Sequence, residues 1–170
     1  MVKRGVKVSL IVSAVLCSGL LLVSASSGAT GGNRASRLFV RGANLCKLVS
    51  TAKLEVATGL KLPRPVWGGV YCRWALSADR LKDSVWLSVH RGLGRKGVEA
   101  MNRAAATRRV TVTDVTVPGA SYASLITAGY RGMVREWVAA VYPEGTVLVN
   151  VNAPGLTAAK AIAAATAVIS

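Results

Sequence analysis

Two cysteines, Cys46 and Cys72, constrain the fold of this chain more than any other residues. The third cysteine, Cys17, lies in an N-terminal stretch that has the features of a removable export signal, so the exported chain would keep an even pair. A disulfide between the remaining two would close a loop of about 27 residues and stabilise the fold by about 3.5 kcal/mol. Free thiols and metal ligation are the alternatives, but a zinc site needs more ligands than these cysteines and His90 supply.

The first 25 residues have the composition of an export signal. The basic residues that open it are Lys3, Arg4 and Lys7. Residues 8–23 are mostly apolar, and small side chains follow at residues 24–27, which predicts cleavage after Ala25 with Ala29 as a second candidate. At about 16 residues the apolar run is shorter than the roughly 20 that span a bilayer, which favours a cleaved signal over a retained anchor.

Cys17 raises the question of lipid attachment, because a cysteine near the end of a bacterial signal can carry a lipid. Residues 14–16 lack the small side chains that precede a lipidated cysteine, so lipid anchoring is not expected. We interpret Cys17 as apolar filler that is removed with the signal. The predicted location is therefore secreted or the cell envelope.

Length and charge predict one domain that attracts anionic partners. A chain of 170 residues with 52% hydrophobic content has material for one sizeable core. Its formal charge is +15, and 19 basic against seven acidic residues, or +12, remain without the signal. We divide the chain into an export signal (1–25), a flexible linker rich in Ser, Gly and Ala (26–43) and a single α+β domain (44–170).

The pattern after residue 44 predicts a helix followed by a hairpin. Asn44 is a suitable N-cap and Gly59 a suitable C-terminal residue for a helix over 45–58. After a loop rich in proline and glycine, alternation with a period of two predicts two paired strands. Their buried side chains would be Cys72, Trp74, Leu76, Val85, Leu87 and Val89.

The opposite face of this predicted hairpin carries the residues that could bind a ligand, which are Tyr71, Arg73, Trp86, Ser88 and His90. Two interpretations stay open. The set lines a ligand groove, or it is a solvated strand face that a loop partly covers, which is the simpler interpretation because single exposed aromatic residues are normal.

Two motif matches are rejected on their context. Residues 92–97 match G-x-G-x-x-G, follow a predicted strand and precede a helix, with Asp114 near the position of a ribose-binding acid. The strand of a dinucleotide fold is buried on both faces, whereas residues 84–90 alternate, so we interpret the match as a flexible basic loop. Residues 119–123 resemble a serine-hydrolase elbow only in their first three positions. No cofactor is predicted.

The second half of the chain adds further predicted elements. They are, in order, a helix at 98–107, a strand at 110–117, a loop or edge strand at 121–132, a hairpin at 135–142 and 147–151, and a helix at 156–169. A phase slip in the strand predicts a bulge near Thr113 and Asp114. The predicted class is α+β, with a single antiparallel sheet of about five strands, three helices packed on one face, and one disulfide.

A cysteine that opens the first helix, in Asn44-Leu45-Cys46, and a C-x-W strand motif at residues 72–74 accompany the basic signal and an alanine-rich last helix. In these features residues 44–169 resemble the exported actinobacterial proteins of domain-of-unknown-function family 3558. The resemblance implies a disulfide between Cys46 and Cys72 and a secreted or cell-envelope location. It implies no activity.

Two classes of function remain open. The first is an exported non-catalytic domain that binds a protein or small ligand at the cell envelope, with Tyr71, Arg73, Trp86 and His90 as the candidate ligand-binding residues. The alternative is non-specific electrostatic binding of anionic wall polymers or lipid headgroups. One histidine and dispersed acids predict no catalytic or metal-binding set, so the chain is not expected to be an enzyme. Specific recognition of nucleic acid is not expected either.

Overall fold

The computed structural model describes residues 30–78, 83–106, 110–130 and 133–170. The predicted export signal, both candidate cleavage sites and Cys17 lie outside the described residues. Among the residues that are described, no helix is long and apolar enough to cross a membrane.

Seven strands form one sheet in the described part of the chain, and each neighbouring pair is antiparallel. The strands are β1 (Val66–Trp67), β2 (Tyr71–Ala75), β3 (Ser84–Arg91), β4 (Val110–Asp114), β5 (Tyr122–Tyr130), β6 (Met133–Tyr142) and β7 (Gly145–Asn152). Their order across the sheet is β1-β2-β3-β7-β6-β5-β4. The α+β class with a single antiparallel sheet is confirmed, whereas the predicted count of about five strands is too low.

Five helices, rather than the predicted three, occur in the same residues. They are α1 (Thr30–Leu38), α2 (Leu45–Leu48), α3 (Thr51–Thr58), α4 (Arg95–Ala105) and α5 (Ala158–Ile169). The single helix predicted over 45–58 is two helices, because Val49 and Ser50 have extended backbone and the Ser50 hydroxyl accepts a hydrogen bond from the Lys53 N–H. Asn44 caps α2 and Gly59 ends α3 with a left-handed conformation, as the sequence predicts.

Helix α1 lies where the sequence predicts a flexible linker. Its buried side chains Ala35 and Leu38, together with Phe39 just beyond it, belong to the main core. The Arg91 Nε–H donates a hydrogen bond of 2.7 Å to the Phe39 carbonyl, which ties the end of this segment to β3. Ordered structure therefore begins before Asn44, because three apolar residues at helical spacing are enough to dock a short helix on an existing core.

The main core lies between one face of the sheet and helices α2, α3 and α5. Trp74 is fully buried there, and its Nε1–H donates to Thr51 Oγ1 at 3.1 Å. The disulfide between Cys46 of α2 and Cys72 of β2 is confirmed, with the two Cα atoms 5.2 Å apart. It joins α2 to the β2 side of the sheet next to this core.

The prediction that all helices pack on one face of the sheet is wrong for α4. Val98 of α4 packs against Ala139 and Val141 of β6, which alternate with the core-facing Val138 and Ala140. Since successive strand residues point to opposite sides, α4 lies on the second face of the sheet. It covers one end of that face.

The prediction for the residues of β5 differs most from the structure. Residues 121–132 were expected to form a loop or an edge strand, but β5 lies inside the sheet between β4 and β6. β4 pairs with it in continuous register from Val110 to Asp114, so the predicted bulge is also wrong. The phase slip in the sequence marks the place where β4 ends.

Candidate ligand-binding face of the sheet

The second face of the sheet holds the residues that the sequence selected for ligand binding. Across the β2–β3 pair, Tyr71 lies opposite Ser88 and Arg73 lies opposite Trp86. Residues directly opposite in an antiparallel pair share a face, so the alternation in the sequence places these four side chains together. All four are half-buried, whereas His90 at the end of β3 is exposed.

Tyr71 and Trp86 make an aromatic contact that braces the indole. Their ring centroids are 5.2 Å apart with an interplanar angle of 68°, which is the edge-to-face geometry that aromatic rings prefer. The Tyr71 ring also passes so close to Gly68 that a Cβ at residue 68 would overlap it. A glycine at this position lets the Tyr71 ring lie against the backbone next to β1.

Strand β7 brings further residues to this face that the sequence did not select. Because β7 lies between β3 and β6, Trp86 is opposite Asn150, and Asn150 is opposite Trp137. The same line continues through β5 and β4. We call it the tryptophan row, and its members are Arg73, Trp86, Asn150, Trp137, Ile126 and Val112.

Three polar atoms of the tryptophan row lack hydrogen-bond partners within the described structure. They are Arg73 Nε, Trp86 Nε1 and Asn150 Oδ1, which belong to three adjacent strands. Asn152, two residues along β7 and only 7% exposed, has an unpartnered Oδ1 in the same described set. Buried polar atoms in folded proteins are nearly always hydrogen-bonded to protein or water, so these atoms mark side chains of the face whose hydrogen bonding is incomplete in the described structure.

The other two tryptophans show that the exceptions belong to this face. The Trp74 indole in the core donates to Thr51, and the Trp67 indole on edge strand β1 donates to the Gly69 carbonyl at 3.2 Å. Trp67 lies opposite Cys72, on the side of the sheet that faces the main core. The fold therefore supplies a partner for the indole N–H at both of these positions.

Helix α4 forms a wall beside the β4 end of the tryptophan row. A cavity of about 260 Å³ there is lined by Val112 of the row and by Glu99, Asn102, Arg103, Ala106 and Tyr122. Asn102 is 6% exposed; its Nδ2–H donates to Ser124 Oγ at 3.0 Å, and its Oδ1 has no partner among the described residues. The tryptophan row thus adjoins a recess that α4 lines in part.

Tyr122 links this recess to two charged groups. Its hydroxyl donates to Asp114 Oδ1 at 3.1 Å, and the Arg95 guanidinium lies 4.8 Å from the ring centroid. Burial is the main cause that raises the pKa of Tyr122, and the hydrogen bond to Asp114 adds to it. Tyr122 therefore stays protonated and acts as a hydrogen-bond donor at neutral pH.

Positive charge on this face of the sheet comes from β2 and from β6. Arg73 is the charged member of the tryptophan row, and Arg135 of β6 lies on the same face by alternation with Trp137. The carboxylate of Glu136 points to the other side, where Thr127 Oγ1 donates to it at 2.6 Å. An anionic group on the row would meet arginine and no carboxylate belonging to the row itself.

His90 lies beside Ser88 on the exposed end of β3. Its Nε2 lies 3.2 Å from Ser88 Oγ, and no carboxylate is hydrogen-bonded to it in the described part of the chain. His90 pairs with Thr146 of β7 near the end of β3, four residues after Trp86. The described residues also contain no group of three or more His, Cys, Asp or Glu side chains that could hold a metal ion.

The glycine motif at residues 92–97 follows a strand and leads into a helix, as the sequence predicts. The sheet around it does not have the parallel strands that a dinucleotide site needs. The motif follows β3, Gly92 has φ of 72°, and Gly94 is the N-cap of α4. β3 is antiparallel to both of its neighbours, β2 and β7. A dinucleotide site requires a parallel βαβ unit, so the motif is the turn at residues 92–94 together with the first residues of α4, rather than the predicted flexible loop.

Comparisons with protein-family models, with curated proteins and with solved structures found no match for this chain.

Proposed function

We propose that this chain is an exported, non-catalytic domain that binds a ligand at the cell envelope through the tryptophan row. The observation that carries the proposal is the half-buried face on which the aromatic rings of Tyr71 and Trp86 lie beside Arg73, with Asn150 and Trp137 in line with them across β7 and β6. A binding site needs apolar surface together with a few oriented polar groups, and the row supplies both.

Export rests on two features that support each other. A basic and apolar N-terminal segment has the composition of a signal, and the fold contains a disulfide, which persists in oxidising compartments. The resemblance to the exported actinobacterial family belongs to the same proposal. It is carried by the two cysteines that form the bridge.

Capture from the native envelope tests the proposal. The full chain, expressed in its own host with a C-terminal affinity tag, is recovered from envelope extracts and its bound material is identified. We expect the Trp86→Ala variant to lose a component that the wild type keeps after washing with roughly a few hundred millimolar salt. The matched control is Trp67→Ala, which removes an indole that is 46% exposed on the other side of the sheet.

The control and the salt wash separate the possible results. Equal recovery of the component by wild type and Trp86→Ala, with both variants folded by circular dichroism, would contradict binding through the row. Loss from both tryptophan variants would point to a stability effect and would also count against the proposal.

Electrostatic adhesion is the second candidate, and the placement of the acids favours it. Glu55 accepts from the Leu62 N–H at 2.8 Å, Glu144 from Ser36 at 2.6 Å, and Glu136 from Thr127. These three carboxylates bond to uncharged donors, whereas Glu99 pairs with Arg95 at 2.7 Å, and the chain keeps its large positive net charge to act on partners. Binding to anionic liposomes or wall preparations that disappears at roughly a few hundred millimolar salt, equally in wild type and Trp86→Ala, is the result that this function predicts.

A further inference from the structure

We infer that the groove between α3 and α5 rests on an anionic lipid bilayer, with Val56 in the acyl layer and Lys53 and Lys160 near the lipid phosphates. α3 and α5 cover the core face of the sheet, whereas the tryptophan row lies on the second face, so the inference goes beyond the proposed function. Three properties carry it: the apolar outer sides of both helices, the hydrogen bonds inside the groove, and the charges around it.

Both helices are apolar on the side that faces away from the core. α3 buries Leu54 and Thr58, and Ala52 and Val56 lie exposed on its outer side. Val56 is 87% exposed, which is the highest value for a large apolar side chain in the described structure. α5 carries one charged residue, Lys160, among its 12. Helices that are apolar all round are normally covered on every side, by protein or by lipid, so this outer surface needs a cover.

The two helices form a groove of about 530 Å³ whose lining offers few groups for hydrogen bonding. Its apolar members are Ala52, Val56, Ala57, Ala163 and Ala167. The hydroxyls that line it are used inside α5, because Thr166 donates to the Ile162 carbonyl at 3.1 Å and Ser170 donates to the Thr166 carbonyl at 2.6 Å. Acyl chains need no hydrogen bonds, whereas the backbone of an extended peptide would lose its own in such a groove.

The length of the groove favours a bilayer over a docked helix. α3 has eight residues, or about 12 Å, so a partner helix would contact it along about two turns. Specific protein interfaces bury roughly 800 Å² on each partner, which is far more than two turns of one helix supply. A bilayer sets no such minimum, because an apolar helix surface with basic flanks can lie in the boundary between headgroups and acyl chains.

Lysines flank the groove on both helices. Lys53 of α3 lines it, and the Lys160 ammonium lies beside the end of α3, 3.4 Å from the position that a Cβ on Gly59 would take. Neither lysine forms an ion pair within the described residues. Glu55, the one acidic residue of the two helices, accepts a hydrogen bond from the Leu62 N–H at 2.8 Å. An anionic bilayer attracts basic residues close to its surface, so this arrangement fits lipid phosphates.

Charge also opposes a second copy of this chain as the occupant of the groove. Each copy would bring Lys53, Lys160 and a positive net charge against the same charges of the other. At the far end of the groove the Arg34 guanidinium of α1 donates to the Ser170 carbonyl oxygen, which offsets the negative end of the α5 dipole inside one chain. The lysines of a second copy would therefore meet no unbonded negative group of α3 or α5.

Vesicle binding by the exported chain, recovered from its own host, tests the inference. The probes are vesicles of phosphatidylcholine alone and of phosphatidylcholine mixed with phosphatidylglycerol, and we expect binding to the mixed vesicles to be about tenfold stronger or more. Val56→Gln and Lys53→Gln should each weaken that binding about fivefold. The matched controls Val134→Gln and Lys96→Gln change exposed residues of β6 and α4, and they should bind like the wild type.

A fluorophore on the groove identifies the face that meets the lipid. Attached at Val56→Cys, an environment-sensitive dye should shift its emission to shorter wavelength on the mixed vesicles. The same dye at Val134→Cys should not shift, because this part of β6 stays outside the acyl layer. The comparison holds even for a chain that keeps its apolar N-terminal segment, since that segment is common to both proteins.

Several results would overturn the inference. They are no preference of the folded wild type for the mixed vesicles, equal weakening by Val56→Gln and Val134→Gln, and equal dye shifts at the two positions. A lipid-free dimer that Val56→Gln abolishes, seen by analytical ultracentrifugation, would assign the groove to a second copy instead. Absence of vesicle binding, together with a captured envelope protein that Val56→Gln loses, would assign it to a protein partner.

Discussion

At the scale of single residues, the tryptophans Trp67, Trp74 and Trp86 differ in how their indole N–H groups are bonded. Trp74 and Trp67 have hydrogen-bond partners inside the fold, whereas the indole N–H of Trp86 has none among the described residues. An indole whose N–H makes no hydrogen bond still contributes apolar contacts, but its unsatisfied donor lowers the stability of the fold. We therefore expect Trp86 to contribute less to stability than Trp74 does.

Phenylalanine substitutions test this division. Trp74→Phe removes a buried hydrogen bond and leaves unfilled volume, so we expect it to lower the free energy of unfolding by about 2–4 kcal/mol. Trp86→Phe should change it by less than about 1 kcal/mol, because the lost N–H has no partner in the described structure. Urea unfolding measures both, and equal costs would contradict the division.

Alkaline pH tests the burial of Tyr142. Burial raises the pKa of this phenol well above its ordinary value of 10.0, and the side chain is only 3% exposed. The folded state then keeps a proton that the unfolded state loses above about pH 10, so this stabilisation is full below that pH and declines as the pH rises. Tyr142→Phe should show a shallower loss of urea stability between about pH 9 and 11 than the wild type. Parallel pH profiles of the two proteins would show that Tyr142 is not buried as described.

At the scale of elements, local signals in the sequence predicted what short-range physics determines. The hairpin β2–β3, the hairpin β6–β7 and helix α5 all follow from alternation, turn residues and helical spacing. Helix α1 was missed because nine residues with few apolar side chains fold only by docking Leu38 and its neighbours on a distant core. β5 was missed because Gly and Tyr residues fit a loop as well as a strand.

The break between α2 and α3 gives the test at this scale. Ser50→Ala removes the hydroxyl that accepts from the Lys53 N–H and should lower the free energy of unfolding by about 1 kcal/mol. Ser50→Gly should lower the free energy of unfolding by only about a few tenths of a kcal/mol, since glycine is a tolerated N-cap. Urea unfolding compares the two variants, and an alanine cost no larger than the glycine cost would argue against a capping role.

At the scale of the whole molecule, the candidate site depends on one long-range pairing. The sequence could place Tyr71, Arg73 and Trp86 on one face, because they belong to one hairpin. It could not add Asn150 and Trp137, since those residues join the row only when β7 pairs with β3, about 60 residues earlier in the chain. No local pattern encodes that choice of neighbour.

The most direct test of the ligand-binding row is an NMR titration of the indole N–H signals with the envelope extract used for capture. The four tryptophans give four assignable signals. Binding on the row predicts shifts or broadening at Trp86 and Trp137, with Trp74 and Trp67 unchanged because their N–H groups are bonded to Thr51 and Gly69. No change at Trp86 and Trp137, or equal changes at all four signals, would contradict a ligand site on this face.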